Sequence, residues 1–164
     1  MKRILASLVL SFSLAALGMA QSASAQPSAS THVLLTPAQI QWGAGPPQLP
    51  KGARLAVLSG NPGAAGPFTI RLKFPAGYKI APHSHPTDEN VAVLSGTFSL
   101  GMGDKFDPKV MKTLPAGGYA LLPSGMNHFA STRTGAIVQI HGMGPFVINY
   151  VNPADDPSKT VGAK

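Results

Sequence analysis

Glycine or proline interrupts this chain so often that no apolar run can grow into a helix of ordinary length. The 164 residues include 18 glycines and 16 prolines, and neither residue suits a helix interior. What lies between them is rich in β-branched and aromatic residues. The resulting strands are expected at 54–59, 68–74, 79–85, 90–95, 97–101, 119–122, 128–132, 136–141 and 146–151. Turns such as SGNPGAAG, PAG, PTD, PSG and TG separate them. In FTIRLKF, Phe68, Ile70, Leu72 and Phe74 share one face while Thr69, Arg71 and Lys73 share the other. No stretch of helical length carries a 3.6-residue apolar period. The sequence therefore specifies an all-β domain, an antiparallel sandwich or barrel.

The N-terminus reads differently. Lys2 and Arg3 precede an apolar run from Ile4 to Met19, and a small-residue site, Ala23–Ser24–Ala25, follows. This is the pattern of a secretory signal peptide, with cleavage expected after Ala25. The run is shorter than the roughly 20 apolar residues of a membrane span, and serines interrupt it. A periplasmic or secreted protein with no membrane attachment after cleavage is the expectation. The domain reading is then a leader over 1–25, an N-terminal arm over 26–52, a β-barrel over 53–151 and a tail over 152–164. Within the arm, TPAQ at 36–39 offers a cap and an early proline for one helical turn. The GAGPPQLPKG that follows cannot sustain a helix or a central strand.

Loss of Lys2 and Arg3 would lower the formal charge from +7 to +5, and the remaining basic residues are scattered. That argues against a nucleic-acid partner. Cysteine is absent, so an exported form would stand on packing and on any bound metal rather than on disulfides.

The chemistry concentrates in GYKIAPHSHPTDENVAVLSG, residues 77–96. On a strand His83 and His85 share a face, with Ala81 and Lys79 on the same side by parity. The PTD turn leads to Glu89, and an antiparallel return strand would bring that carboxylate across from the histidines. Two imidazoles and a carboxylate suit Fe, Mn, Ni or Zn as a divalent ion, and copper remains open. A fourth ligand is suggested by GGYALLPSGMNHF at 117–129, where a PSG turn delivers His128. Spacing alone does not bring His128 to Glu89.

Both segments resemble the cupin superfamily. Gly77, His83, His85, Glu89 and Gly96 fall on every fixed position of the first cupin motif. Gly117, Pro123, Gly125 and His128 fit the second, which ends on Thr132 where the family pattern has asparagine. The resemblance implies a double-stranded β-helix, or jelly-roll barrel. It also implies that His83, His85, Glu89 and His128 hold one divalent transition metal. Cupins host many reactions, so the resemblance does not select one.

Outside the motifs, Gln139 and His141 share a face of one strand. Facing inward, they would reach a substrate, with His141 as acid or base; facing outward, they are merely solvated. Tyr119 and Phe129 are read as packing, Lys79 as a solvated rim residue, and Met102, Met111, Met126 and Met143 as core filler. Asp104 and Asp107 are taken as loop residues facing water. The leading expectation is metal-dependent chemistry on a small molecule, oxygenase-like first and isomerase or lyase next. The alternative is a non-catalytic module that binds or senses a metal or small ligand. A homodimer is allowed by family analogy alone.

Overall fold

The computed structural model describes residues 32–160. The expected leader with its expected site after Ala25, and the expected linker through Thr31, lie outside the described residues. No helix among the described residues is long and apolar enough to cross a membrane.

Ten strands follow one another: β1 Gly43–Ala44, β2 Arg54–Ser59, β3 Gly66–Phe74, β4 Lys79–Ser84, β5 Glu89–Met102, β6 Lys112–Pro115, β7 Tyr119–Leu122, β8 His128–Ser131, β9 Ala136–Gly144 and β10 Asn149–Tyr150. All the pairings are antiparallel. The main path runs β1-β2-β3-β9-β5-β8-β4-β10, with β6 and β7 also pairing to β5. The sheet curls into the jelly-roll barrel that the strand pattern and its punctuation call for.

The alternation in β3 is realised. Phe68, Ile70, Leu72 and Phe74 are all buried, while Thr69, Arg71 and Lys73 face outward. Val91 and Val93 of β5, Leu122 of β7 and Val138 and Ile140 of β9 join them in one core. Each such side chain contributes about 1.5–3 kcal/mol relative to exposure.

Four features differ from the sequence expectations. The two strands expected at 90–95 and 97–101 are one, β5, kinked by a bulge between Val93 and Ser95. Its first half pairs with β7 and β9 and its second with β6 and β8, so one strand serves both sides of the barrel. Gly96 supplies the bend with φ of +72°. The expected strand at 146–151 shrinks to Asn149–Tyr150, and Phe146 and Ile148 pack against the core instead. β6, with no apolar alternation, was not legible. The C-terminal turn and tail form a 3₁₀ turn, Pro153–Asp155, and a short helix, Pro157–Thr160. In the arm, the expected turn at 37–39 is present, with the Gln39 side chain accepting the Thr36 N–H at 2.9 Å.

Phe129 is completely buried, packed against Phe106 with ring centroids 5.1 Å apart. Its ring lies where a side chain at Gly101 would go: a Cβ there would be 2.3 Å from the ring. Gly101→Ala should therefore destabilise the fold by about 2 kcal/mol through overpacking, read as a lower denaturant midpoint. An unchanged midpoint would show that the ring has room to move.

Candidate metal centre

His83 on β4 is the direct cross-strand partner of His128 on β8, and their rings lie 4.3 Å apart. This register is one of the two links between the motifs. The parity expected for β4 fails at a bulge between Ile80 and His83, opposite only Ala130 to His128. One extra residue on β4 therefore turns Ile80 inward beside the histidines, while Lys79 stays exposed at the rim, its Nζ 5.5 Å from the Phe106 ring centre.

Glu89 also arrives by a different route from the one expected. β4 and β5 do not pair: β4 lies between β8 and β10, whereas Glu89 pairs with Leu122 of β7. The turn between them crosses the barrel, and the second motif's turn clips it in place. Gly125 N–H donates to the His85 carbonyl at 2.9 Å, and the Ser124 hydroxyl donates to the Pro86 carbonyl at 2.7 Å. Ser124 N–H donates to Asp88 Oδ1 at 2.8 Å. Asp88 and Ser124 were read only as turn residues in the sequence. Asp88→Ala should weaken metal affinity by about tenfold, as loss of an orienting partner does. Chelator competition reads this, and an unchanged affinity would deny the clip any role.

His83, His85, Glu89 and His128 are all buried. The ligand nitrogens of the three histidines lie within 4.8 Å of one another. Glu89 Oε2 stands 3.5 Å from His85 Nε2 and 3.4 Å from His128 Nε2. Each imidazole is held from behind by a backbone carbonyl. His83 Nδ1 meets Ala81 O at 2.7 Å, His85 Nδ1 meets Val147 O at 2.7 Å, and His128 Nδ1 meets Met126 O at 2.9 Å. A carbonyl only accepts, so each Nδ1 carries the proton and each neutral ring leaves its Nε2 lone pair free. Phe146 stacks on His85 with centroids 4.1 Å apart and fixes that ring further.

This donor set fits a divalent metal. His85 Nε2 is buried with no hydrogen-bond partner. Three lone pairs and a carboxylate facing one another repel unless a cation sits among them. Burial, followed by repulsion from His128 and His85, lowers His83 to about 3. Burial works to raise the Glu89 carboxyl, but a proton on the facing Nε2 of His128 or His85 outweighs burial and lowers the group to about 2, just as a cation in that place would favour the carboxylate. Neutral imidazole and ionised carboxylate are the forms that bind metal. Three nitrogens and one oxygen suit the borderline ions from Mn(II) to Zn(II), with no thiolate to favour a softer one.

The pocket reading of Gln139 and His141 is corrected. β9 turns Val138 and Ile140 into the core, which sends Gln139 and His141 to the outer face. Gln139 Oε1 accepts from Arg71 Nε at 3.0 Å there, and His141 is exposed. Tyr119 is exposed too, donating to Asn90 Oδ1 at 2.6 Å. Met102, Met126 and Met143 are exposed rather than filling the core. Asp104 accepts from Asn127 at 2.7 Å, and Asp107 caps the N–H of Lys109 at 2.9 Å.

Around these four side chains about 30 Å³ is open, room for about one or two waters. Its walls are apolar, among them Leu49, Leu72, Phe98, Phe146 and Ile148. A curled antiparallel barrel with three histidines and a glutamate buried at one point inside defines a cupin. More narrowly, the chain belongs to the family described as the ChrR cupin-like domain, which it matches over residues 30–146. Comparison with curated proteins gives no match. Among solved structures it is similar to the polyketide cyclase RemF from Streptomyces resistomycificus, with 16% identity, 81% of this chain and 94% of that one covered, and a TM-score of 0.63. A candidate acetylacetone dioxygenase from Methylibium petroleiphilum PM1 gives 20%, 80%, 89% and 0.60 for the same measures. An RmlC-like cupin from Shewanella frigidimarina NCIMB 400 gives 21%, 70%, 91% and 0.55. At these identities the likeness establishes the fold and not a substrate.

Proposed function

We propose that the protein is an exported cupin that holds one divalent transition metal through His83, His85, Glu89 and His128 and uses it on a small molecule in an oxygenase-like reaction. The observation that carries this reading is the set of three Nδ1-anchored imidazoles whose free Nε2 atoms share one buried space with Glu89. A bound ion would supply Lewis acidity and, in the case of iron or manganese, redox chemistry. The chain's own residues bind and orient that ion and keep bulk water away from it. With His141 and Gln139 outside, no acid or base beyond the four candidate ligands lines the cavity among the described residues, which weighs against isomerase or lyase chemistry. The signal-peptide pattern at residues 1–25 supports work in the periplasm or outside the cell.

A second reading follows from the small, apolar cavity: a module that binds or senses a small ligand without turning it over. Oxygen uptake by iron(II)-loaded protein with a panel of small enols and phenols separates the two. Uptake above the protein-free rate, lost in His128→Ala, supports the oxygenase. No uptake at full metal occupancy supports the binding module.

A further inference from the structure

Beside the metal cavity lies a second chamber of about 320 Å³, at the small end of ligand pockets, which run from about 300 to 1,000 Å³. Leu49, Leu72, Phe146 and Ile148 line both spaces, so a wall of single side chains separates them. The outer chamber is floored by apolar groups such as Leu55 and Ile70, and among the described residues Gln48 is its only polar side chain. Among the described residues no lysine or arginine lines either space.

We propose that this chamber admits and binds a one-ring-sized, largely apolar molecule bearing a single anionic oxygen, and that Leu49 is the gate through which the oxygen reaches the metal. The proposal rests on the metal-binding reading above. The size and walls of the chamber set the apolar body. The charge follows from the ligands: a divalent ion beside one carboxylate leaves a single net positive charge in a buried space. One anionic oxygen restores neutrality, whereas a second would face apolar walls with no described lysine or arginine to pair it.

The gate is built from the arm. Leu49 is buried, yet Gln48–Leu49–Pro50 belongs to no strand. Two barrel tyrosines clasp the segment on either side of Leu49. The Tyr150 hydroxyl donates to the Gln48 carbonyl at 2.7 Å, and the Tyr78 hydroxyl donates to the Pro50 carbonyl. Burial, with the carboxylates of Asp156 and Asp155, pushes Tyr150 up to about 12, so it remains a donor. Within the segment, Leu49 N–H donates to the Pro46 carbonyl at 3.0 Å. Releasing this clasp swings Leu49 without unpairing any strand.

The test uses cobalt(II)-loaded protein and 4-nitrophenolate, followed by the absorbance of the probe and of the cobalt. 4-Nitrotoluene, without the oxygen, and the dianion 4-nitrophthalate serve as comparisons. Nitrophenolate should shift the cobalt bands and bind at least about tenfold more tightly than either comparison. Leu49→Ala and Tyr150→Phe should speed its association, by about tenfold for Leu49→Ala. Leu49→Trp should weaken binding by more than about tenfold, and so should Ala44→Trp, which fills the chamber from an exposed position. Cobalt content should stay at one per chain throughout. Wild-type affinity and rate in both tryptophan variants, or equal binding of the dianion, would overturn the gate while leaving the metal centre standing. Failure of the wild type to take up cobalt would overturn the metal centre itself, and the gate with it.

Discussion

Replacing His128 with alanine is expected to strip the protein of its metal while leaving it folded. His128 brings the second motif to the candidate ligands of the first, as the cross-strand partner of His83 and 3.4 Å from Glu89. Its Nε2 lone pair is fixed by the carbonyl of Met126 behind it. Losing an orienting partner typically weakens a site by about 10–100-fold, and losing the ligand itself should exceed about 100-fold. His83→Ala should do the same. Elemental analysis after dialysis against a mild chelator reads the effect, with circular dichroism as the check on folding. Full occupancy in both variants would remove these residues from the ligand set.

Acid should destabilise the metal-free protein over a pH window set by two buried groups. His83 is lowered in the fold to about 3 from its ordinary 6.5, and Glu89 to about 2 from 4.5. In both cases the unfolded chain takes up a proton at a pH where the folded chain does not. Stability is therefore fully present above about 6.5, falls as pH drops from 6.5 toward 3 for His83, and falls from 4.5 toward 2 for Glu89. Between pH 6.5 and 4.5, His83 alone should cost about 2 kcal/mol. Denaturant melts of metal-free protein across this range read the slope, and His83→Gln should flatten it. A midpoint that stays level from pH 7 to pH 4.5 would contradict the burial of a neutral imidazole at this position. Metal release should follow the same direction, because protons compete for the same nitrogens.

His83, His85 and Glu89 could be read as candidate ligands from the sequence because their spacing is local and chemical, whereas His128 joined them only through the resemblance to the cupin motifs. Histidines at 83 and 85, a glutamate four residues on and a histidine after a PSG turn survive any uncertainty about strand ends. The inward face of β3 was equally legible, because four large apolar residues alternate without interruption. What parity cannot supply is the effect of a bulge. One extra residue between Ile80 and His83 moved Ile80 into the cavity, where strict alternation puts Ala81. For β9 the alternation was clear but its sense was not. A strand with Val138 and Ile140 on one side and Gln139 and His141 on the other fits either orientation until the core claims the aliphatic pair. Leu49 and Phe146 lie in proline-rich stretches with no period, and only tertiary packing brings them to the metal cavity.

Anomalous scattering at a metal absorption edge, from crystals of protein purified without added metal, tests the central claim most directly. The expected result is one strong peak per chain at about 2.0–2.2 Å from the Nε2 atoms of His83, His85 and His128 and from a Glu89 oxygen. A peak at another place, or three imidazoles ordered around no ion when the same protein is soaked in zinc, iron and manganese in turn, would contradict it.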